Sequence, residues 1–379
     1  MLNSLTSLTL EQQIGQFFYI GLPGTELDDE TRSLIEHVQP GGVIVFGRNV
    51  AEPKQLRSLL DGVRELLPVE PLCGIDQEGG LVDRLRRICT PMPAARTIRQ
   101  HGDLAAARAL GRITGETLRR LGFNMNFAPV MSIMTDERDL LSNGLYSRSF
   151  GRSPGEVLGY TMVYLRGLQG TGCLGCLKHF PGIGAGEVDT HDQMAVVNLS
   201  HDDLIAQDLA PYIELFQRED DRVRAVMVSH GGFPNVDIRK GVAGGRLEPA
   251  SVSYSISTKL LRDELGYKHL VVTDDLEMGA IAKLYEIEDA VLRAFNAGQD
   301  MLLICSRPHV IRRGYDSLLQ AARDRVITLD RINLSLGRIA DFKTLAQPPL
   351  PFDEERLTLL SQETAALNRK LNYTYGGTI

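Results

Sequence analysis

The chain has 379 residues, of which 43% are hydrophobic and 23% charged, and it carries a formal net charge of −7. That composition describes a globular chain with a sizeable core. The acidic balance argues against a phosphate-backbone-binding surface, so no nucleic-acid partner is expected; no apolar run reaches the ~20 residues that span a bilayer, so no membrane partner is expected either.

Eight short apolar runs follow one another along the chain. They are FFYIGL from Phe17, GVIVFG from Gly42, LCGID from Leu72, NMNFAPV from Asn124, LGCLKHF from Leu174, RAVMVSH from Arg224, HLVVTDD from His269 and DMLLIC from Asp300. Each is apolar on both faces, which fits a strand covered on both sides. The segments between them, such as DDETRSLIEHV, KQLRSLLDGVRELL, LAAARALGRITGETLRRL, PGEVLGYTMVYLRGLQG and IEDAVLRAFNAG, carry helical periodicity. Gly122, Gly266 and Gly298 stand where C-caps are expected. Eight strand-then-helix units predict an α/β fold, a single-domain TIM (β/α)₈ barrel with room for irregular strands, because a doubly wound sheet usually stops at about five to six strands. From about Thr328 the chain predicts one or two closing helices and a polar tail. With no linker rich in Pro, Gly or Ser, residues 1–345 are expected to form the barrel, and residues 346–379 a C-terminal helix and tail packed on it.

The N-terminal MLNSLTSLTLEQQ has neither the basic start nor the continuous apolar stretch of a signal peptide, so the expected location is cytoplasmic. Five cysteines without regular spacing do not describe a disulfide framework. Cys173 and Cys176 form a CxxC, but within an apolar strand positions i and i+3 face opposite sides, so they are expected to be buried structural thiols. The Asn-x-Ser/Thr matches at Asn198, Asn333 and Asn372 carry no weight in that compartment.

A barrel of this kind keeps its chemistry at the C-terminal strand ends. Those ends supply Asp76, Asn126, Lys178, His179, His230, Asp274 and Asp275. The stretch KHFPGIGAGEVDTHD leaves its strand with Lys178 and His179, crosses Gly182, Gly184 and Gly186, and reaches Asp189-Thr190-His191. Asp and His two residues apart on a permissive loop can form an acid/base unit, the carboxylate fixing the imidazole tautomer; a surface Asx-turn is the plain alternative. Asp274 can attack an anomeric carbon from the rim or simply cap the next helix, a role that suits Asp275 better. In GIDQEGGLVDRLRR, Gly79-Gly80 permits a tight turn, and Asp76 with Arg84 can bind a polyol through charge-assisted hydrogen bonds. A metal centre drawn from His179, Asp189, His191, His230 and Asp274 is a rival, but the tight spacings of firm metal motifs are missing, so no metal is expected.

KHFPGIG followed by DTH, DQEGG before paired arginines, SRSFG and VVTDDLEM, with NFAPV, PASVS and AGQDMLLI in order between about Leu10 and Lys343, resemble glycoside hydrolase family 3. More narrowly, the chain is similar to the single-domain bacterial β-N-acetylglucosaminidases of cell-wall recycling. The resemblance implies Asp274 as nucleophile, His191 as acid/base with Asp189 as its partner, and sugar-binding positions at Asp76, Arg84, Arg148, Lys178 and His179; His230 joins them from its place on the rim. It implies a retaining exo-hydrolase of terminal β-linked N-acetylglucosamine, with a muropeptide or other small carbohydrate as substrate and no cofactor. Ile183, Leu81 and Ser132 depart from the family pattern, which normally has histidine, arginine and aspartate there. Two other outcomes keep the same pocket: phosphorolysis, because a histidine acid/base does not repel phosphate, and a sugar-binding pseudoenzyme.

Overall fold

The computed structural model describes residues 5–190, 192–218, 223–236 and 247–376. In chain order the strands are β1 (Phe18–Gly21), β2 (Gly42–Val45), β3 (Leu72–Ile75), β4 (Gln77–Gly79), β5 (Val82–Asp83), β6 (Met125–Asn126), β7 (Leu174–Gly175), β8 (Leu177–Phe180), β9 (Ala225–Val228), β10 (Leu270–Asp275) and β11 (Met301–Ile304). β4 and β5 form a separate antiparallel hairpin; the other nine make one sheet in the order β7-β6-β3-β2-β1-β11-β10-β9-β8. Every pairing in that sheet is parallel.

Only Cys176 separates β7 from β8, so the two are halves of one strand. One half pairs with β6 and the other with β9, which joins the two ends of the sheet and closes it. The result is a TIM-like barrel whose eight strands are the eight apolar runs. They read as continuous apolar stretches because side chains on one face fill the lumen while those on the other meet the helices. Inside the barrel Tyr19 packs edge-on against Phe127 at 5.2 Å between ring centroids. Its ring fills space that a side chain at Gly42 or Gly74 would occupy: a Cβ at Gly42 would lie 2.6 Å from the ring, and one at Gly74 2.3 Å from the hydroxyl.

The outer layer is built from amphipathic helices, including Asp29–Val38, Pro53–Leu66, Leu104–Arg120, Pro154–Gln169, Ile287–Ala297 and Pro308–Arg323, with a π-helix at Ser255–Glu264. Their starts follow local chemistry: the Asp28 carboxylate accepts from the Thr31 amide and Ser153 Oγ from the Glu156 amide. Gly122, Gly266 and Gly298 all take the left-handed conformation at +70° to +115°. Two helices follow the last strand. Leu329–Lys343 starts at a Thr328 cap, and Glu354–Lys370 lies against Leu104–Arg120 through Arg356 and Glu116. That last helix also accepts the Thr90 amide at Ser361 and donates from Asn368 to the Pro91 carbonyl.

All five cysteines are free; Cys173 and Cys176 are buried, and burial pushes both thiols up. No helix among the described residues is long and apolar enough to cross a membrane.

Candidate active site

The β4–β5 hairpin rises from the C-terminal end of β3 and carries Asp76 at its base and Glu78 on its first strand. Its shape is over-determined. Gln77 donates to Asp83 Oδ1 at 2.7 Å and accepts from the amides of Arg84 and Leu85, while Asp83 Oδ2 takes the Met92 amide at 2.7 Å. Asn126, at the end of β6, accepts the Gln77 amide and donates to the Gln77 carbonyl, both at 2.9 Å. Gly79 and Gly80 have φ of +91° and +58°, and a Cβ on either would collide with Pro93 or Ala94. The rim asparagine is therefore a scaffold for the hairpin.

Four charged side chains meet behind this hairpin. Lys178 Nζ on β8 lies 2.6 Å from both Asp76 Oδ1 and Glu78 Oε1. Arg148, from the loop after β6, grips Glu78 with two parallel bonds of 2.8 and 2.9 Å. Burial would raise the Glu78 carboxyl, but Arg148 and Lys178 overcome it and hold it well below the usual carboxylate range. Burial would likewise lower Lys178, yet Asp76 and Glu78 raise it, which keeps the amine charged. Arg84 approaches the other side of Asp76 at 3.8 Å. Its guanidinium lies over the Phe46 ring, and its Nε is buried without a hydrogen-bond partner among the described residues.

Asp274, the last residue but one of β10, lies beside this cluster, 18% exposed, with Oδ1 accepting the Asp275 amide at 2.9 Å and Oδ2 lying 3.9 Å from His179 Nε2. Burial pushes the His179 imidazole down to about 3, against the pull of Asp274, so it is neutral at physiological pH. Its Nδ1 is buried and meets no hydrogen-bond partner among the described residues. Asp275 faces away from the cluster: its Oδ1 accepts the amides of Glu277 and Cys305 at 3.0 and 3.2 Å, tying the loop after β10 to β11. Burial raises its carboxyl to about 7. His230 is fully buried; Nδ1 meets Ser251 Oγ at 2.7 Å, and Nε2 meets the Asp275 carbonyl at 2.9 Å.

The glycine-rich loop after β8 folds over the same rim. Asn143 donates to the carbonyls of Gly184 and Gly186, and Ser142 bridges Val188. Ile183 is buried in an apolar cluster with Val130, Met131, Ile133 and Phe233. Arg138 and Asp208, both buried, pair at 2.9 and 3.0 Å beneath the loop, with Asp208 against Gly182. Further along, the Ala280 amide reaches the Thr190 carbonyl at 3.4 Å and Lys283 Nζ the Asp192 carbonyl at 2.6 Å. Both contacts tether the loop to the segment that follows Asp274.

Asp76, Arg84, Arg148, Lys178, His179 and Asp274 therefore stand together. Asp189 stands on the loop, with its carboxylate 3.1 Å from where a Cβ on Gly144 would be; His191 lies outside the described residues. His230 is set behind the rim, where it holds the strand that carries Asp274. Ser132 is buried and its carbonyl accepts from Ser149 Oγ, while Leu81 is exposed at the hairpin tip. Glu78 is the residue that sequence reasoning missed. Its signal is electrostatic: two buried cations, Lys178 and Arg148, need more than the single carboxylate of Asp76. Among the described residues no three His, Cys, Asp or Glu side chains are grouped to hold a metal ion.

Comparison with known proteins shows the family. The model of the glycosyl hydrolase family 3 N-terminal domain matches residues 9–342. Beta-hexosaminidase A of Pseudoalteromonas piscicida is 32% identical over 84% of this chain, which spans 56% of that protein's length. A beta-hexosaminidase of Stenotrophomonas maltophilia strain R551-3 is 31% identical over 84% of this chain and 90% of its own. Among solved structures, a family 3 β-N-acetylglucosaminidase from Paenibacillus superimposes with a TM-score of 0.84 at 34% identity, covering 95% of this chain and 69% of its own. The chain belongs to glycosyl hydrolase family 3.

Proposed function

We propose that the protein is a retaining exo-β-N-acetylglucosaminidase that releases terminal β-linked N-acetylglucosamine, with muropeptide fragments as natural substrate. The observation that carries this reading is the juxtaposition of Asp274 with a buried cluster that has open hydrogen-bonding valence. His179 lies 3.9 Å from the carboxylate and Arg84 3.8 Å from Asp76, and two buried nitrogens, Arg84 Nε and His179 Nδ1, meet no hydrogen-bond partner among the described residues. A buried polar atom without a partner is costly, and sugar hydroxyls supply the missing groups.

Asp274 attacks the anomeric carbon as the bond to the leaving-group oxygen breaks, and a general acid protonates that oxygen. The same group then takes a proton from water, which displaces the carboxylate and releases the sugar. His179 is unsuited to the acid role because it is neutral down to about pH 3. The loop that bears Asp189 is tethered beside the Asp274 segment, which supports His191 as the acid/base with Asp189 orienting it. The names of the relatives support the N-acetylglucosamine specificity.

A panel of aryl β-glycosides tests the proposal. Turnover of the N-acetylglucosaminide well above the glucoside is expected, and inertness towards every glycoside would refute it. Product analysis with and without inorganic phosphate separates hydrolysis from phosphorolysis: free N-acetylglucosamine in both cases is expected, and a glycosyl phosphate would reassign the reaction. Tight sugar binding without any turnover would reassign the protein as a binder.

A further inference from the structure

The N-terminal end of the barrel, opposite the candidate active site, holds a cavity of about 620 Å³. Small-molecule sites span roughly 300–1,000 Å³. Its walls come from three stretches of chain: Leu5 and Leu8, residues 68–72 leading into β3, and Ala340 and Lys343 with residues 346–349 beyond them. Each stretch is pinned from behind. Gln13 Nε2 donates to the carbonyls of Thr6 and Leu8, both at 3.1 Å, and the Leu72 amide donates to the Gly41 carbonyl at 3.0 Å. Arg119 donates to Gln347 Oε1 at 3.2 Å and to the Pro348 carbonyl, and its own carbonyl accepts the Leu350 amide at 3.1 Å. The cavity is therefore formed in advance of any ligand, which lowers the ordering cost of binding.

Its lining is aliphatic, made of leucine, valine, alanine and proline side chains without an aromatic ring. Three polar side chains interrupt it: Glu70, Gln347 and Lys343. Two of them are engaged elsewhere, Gln347 with Arg119 and the half-exposed Glu70 with Arg64 at 2.7 Å. Lys343 differs. Its Nζ has one hydrogen-bond partner among the described residues, the neutral Gln16 Oε1 at 2.7 Å, and no carboxylate within ion-pair distance. Burial pushes the amine down to about 7, against the pull of Glu70. An ammonium carries three donors, so a single neutral acceptor leaves it poorly compensated in apolar surroundings. A carboxylate is the group that would complete it.

We propose that this cavity binds an unbranched aliphatic carboxylate, with its tail along the leucine and proline walls and its carboxylate on Lys343 Nζ. The site lies at the far end of the barrel from Asp274 and does not rest on the N-acetylglucosaminidase reading, so either can fail without the other. The aliphatic lining matches a hydrocarbon tail, whose burial supplies the non-directional part of the affinity. The one under-compensated cation supplies the direction.

Calorimetry on the full chain with decanoate, decan-1-ol and acetate tests the site at pH 6.5, where the amine is mostly charged. Decanoate is expected to bind at least about tenfold more tightly than decan-1-ol, the scale of one charged hydrogen bond. Acetate, which lacks the tail, should not bind detectably. Lys343→Met, which keeps the wall apolar, should bring decanoate down to the affinity of decan-1-ol while leaving the alcohol within about twofold of wild type. The comparison of acid with alcohol needs no variant, so it stands even if Lys343→Met fails to fold. Absence of decanoate binding, equal affinity of wild type for acid and alcohol, or an unchanged decanoate affinity in Lys343→Met would overturn the site.

Discussion

Two buried charge clusters sit at opposite ends of the barrel, and they differ in one respect. At the N-terminal end, Asp300 just before β11 is fully buried; its carboxylate accepts from Arg262 at 2.7 Å, the Val271 amide at 3.0 Å, Ser335 at 2.6 Å and Arg338 at 3.2 Å. Burial would raise its carboxyl, but the arginines around it hold it below the usual range. Its oxygens are satisfied, and what it joins is a strand and two helices. At the C-terminal end, the cluster of Asp76, Glu78, Lys178 and Arg148 is just as tightly paired on its inner side. On its outer side, Arg84 Nε and His179 Nδ1 are buried and meet no hydrogen-bond partner among the described residues, and Asp274 is 18% exposed. The same ion-pair chemistry therefore serves two ends. Where every acceptor is filled, the cluster holds the fold; where some polar atoms are open, it can accept the sugar that the proposed function requires.

Substitutions can break this contrast. The largest effect belongs to Asp274→Ala, which should cut kcat/KM by about 10⁴-fold or more, as loss of a covalent nucleophile does, while the thermal midpoint stays near wild type; turnover within tenfold of wild type would remove Asp274 from the mechanism. Asp300→Ala should act in the opposite sense. It strands three arginines at a dry site, so unfolding titrations should show a loss of about 3–5 kcal/mol, yet the folded fraction should keep its kcat. A drop in kcat without a drop in stability would mean that the N-terminal cluster is not purely structural. Glu78→Gln lies between the two: it leaves Lys178 and Arg148 short of a charge, and both stability and kcat/KM should fall, the latter by about 10²-fold.

Ile183→Ala probes the loop. The lost packing should cost about 2–5 kcal/mol if loop closure is part of the cooperative unit, and much less if the loop opens independently. A pH dependence follows from His179. Its folded pKa of about 3 lies below its ordinary value of 6.5, so between those values the unfolded chain binds a proton that the folded chain refuses. Stability from this group is complete above about pH 6.5 and is lost as pH falls towards 3. Melting curves of wild type and His179→Gln should converge over that window as the pH is lowered, and parallel curves would contradict the shift.

The barrel was legible because closed parallel strands are apolar on both faces, and all eight runs became strands. The split at Cys176 left no mark in hydropathy, since Leu174, Cys176 and Leu177 are equally apolar. The hairpin β4–β5 was legible only as a glycine turn: its residues Gln77, Glu78 and Asp83 are polar yet buried, and they form a strand pair through hydrogen bonds to Asn126 and Met92 that lie far off in sequence. Asp274, Asp76 and Lys178 were found by their place at strand ends. Glu78, three residues past the end of β3, was not, because its partners come from β8 and from the loop after β6. Asp275 reads as a helix cap from its position one residue further on, but the helix Gly279–Ala282 starts at Met278 without a side-chain cap, and Asp275 holds the amides of Glu277 and Cys305 instead. The burial of Ile183 depends on residues 130–133 and 233, which no local pattern brings together.

The central claim, that Asp274 forms a bond to the sugar held by the open cluster, is tested most directly by trapping. Wild-type enzyme reacted with a slow, fluorinated N-acetylglucosaminide should gain the mass of one glycosyl unit, and peptide mapping should place it on Asp274. No mass gain during turnover, or a label on any other residue, would contradict the account.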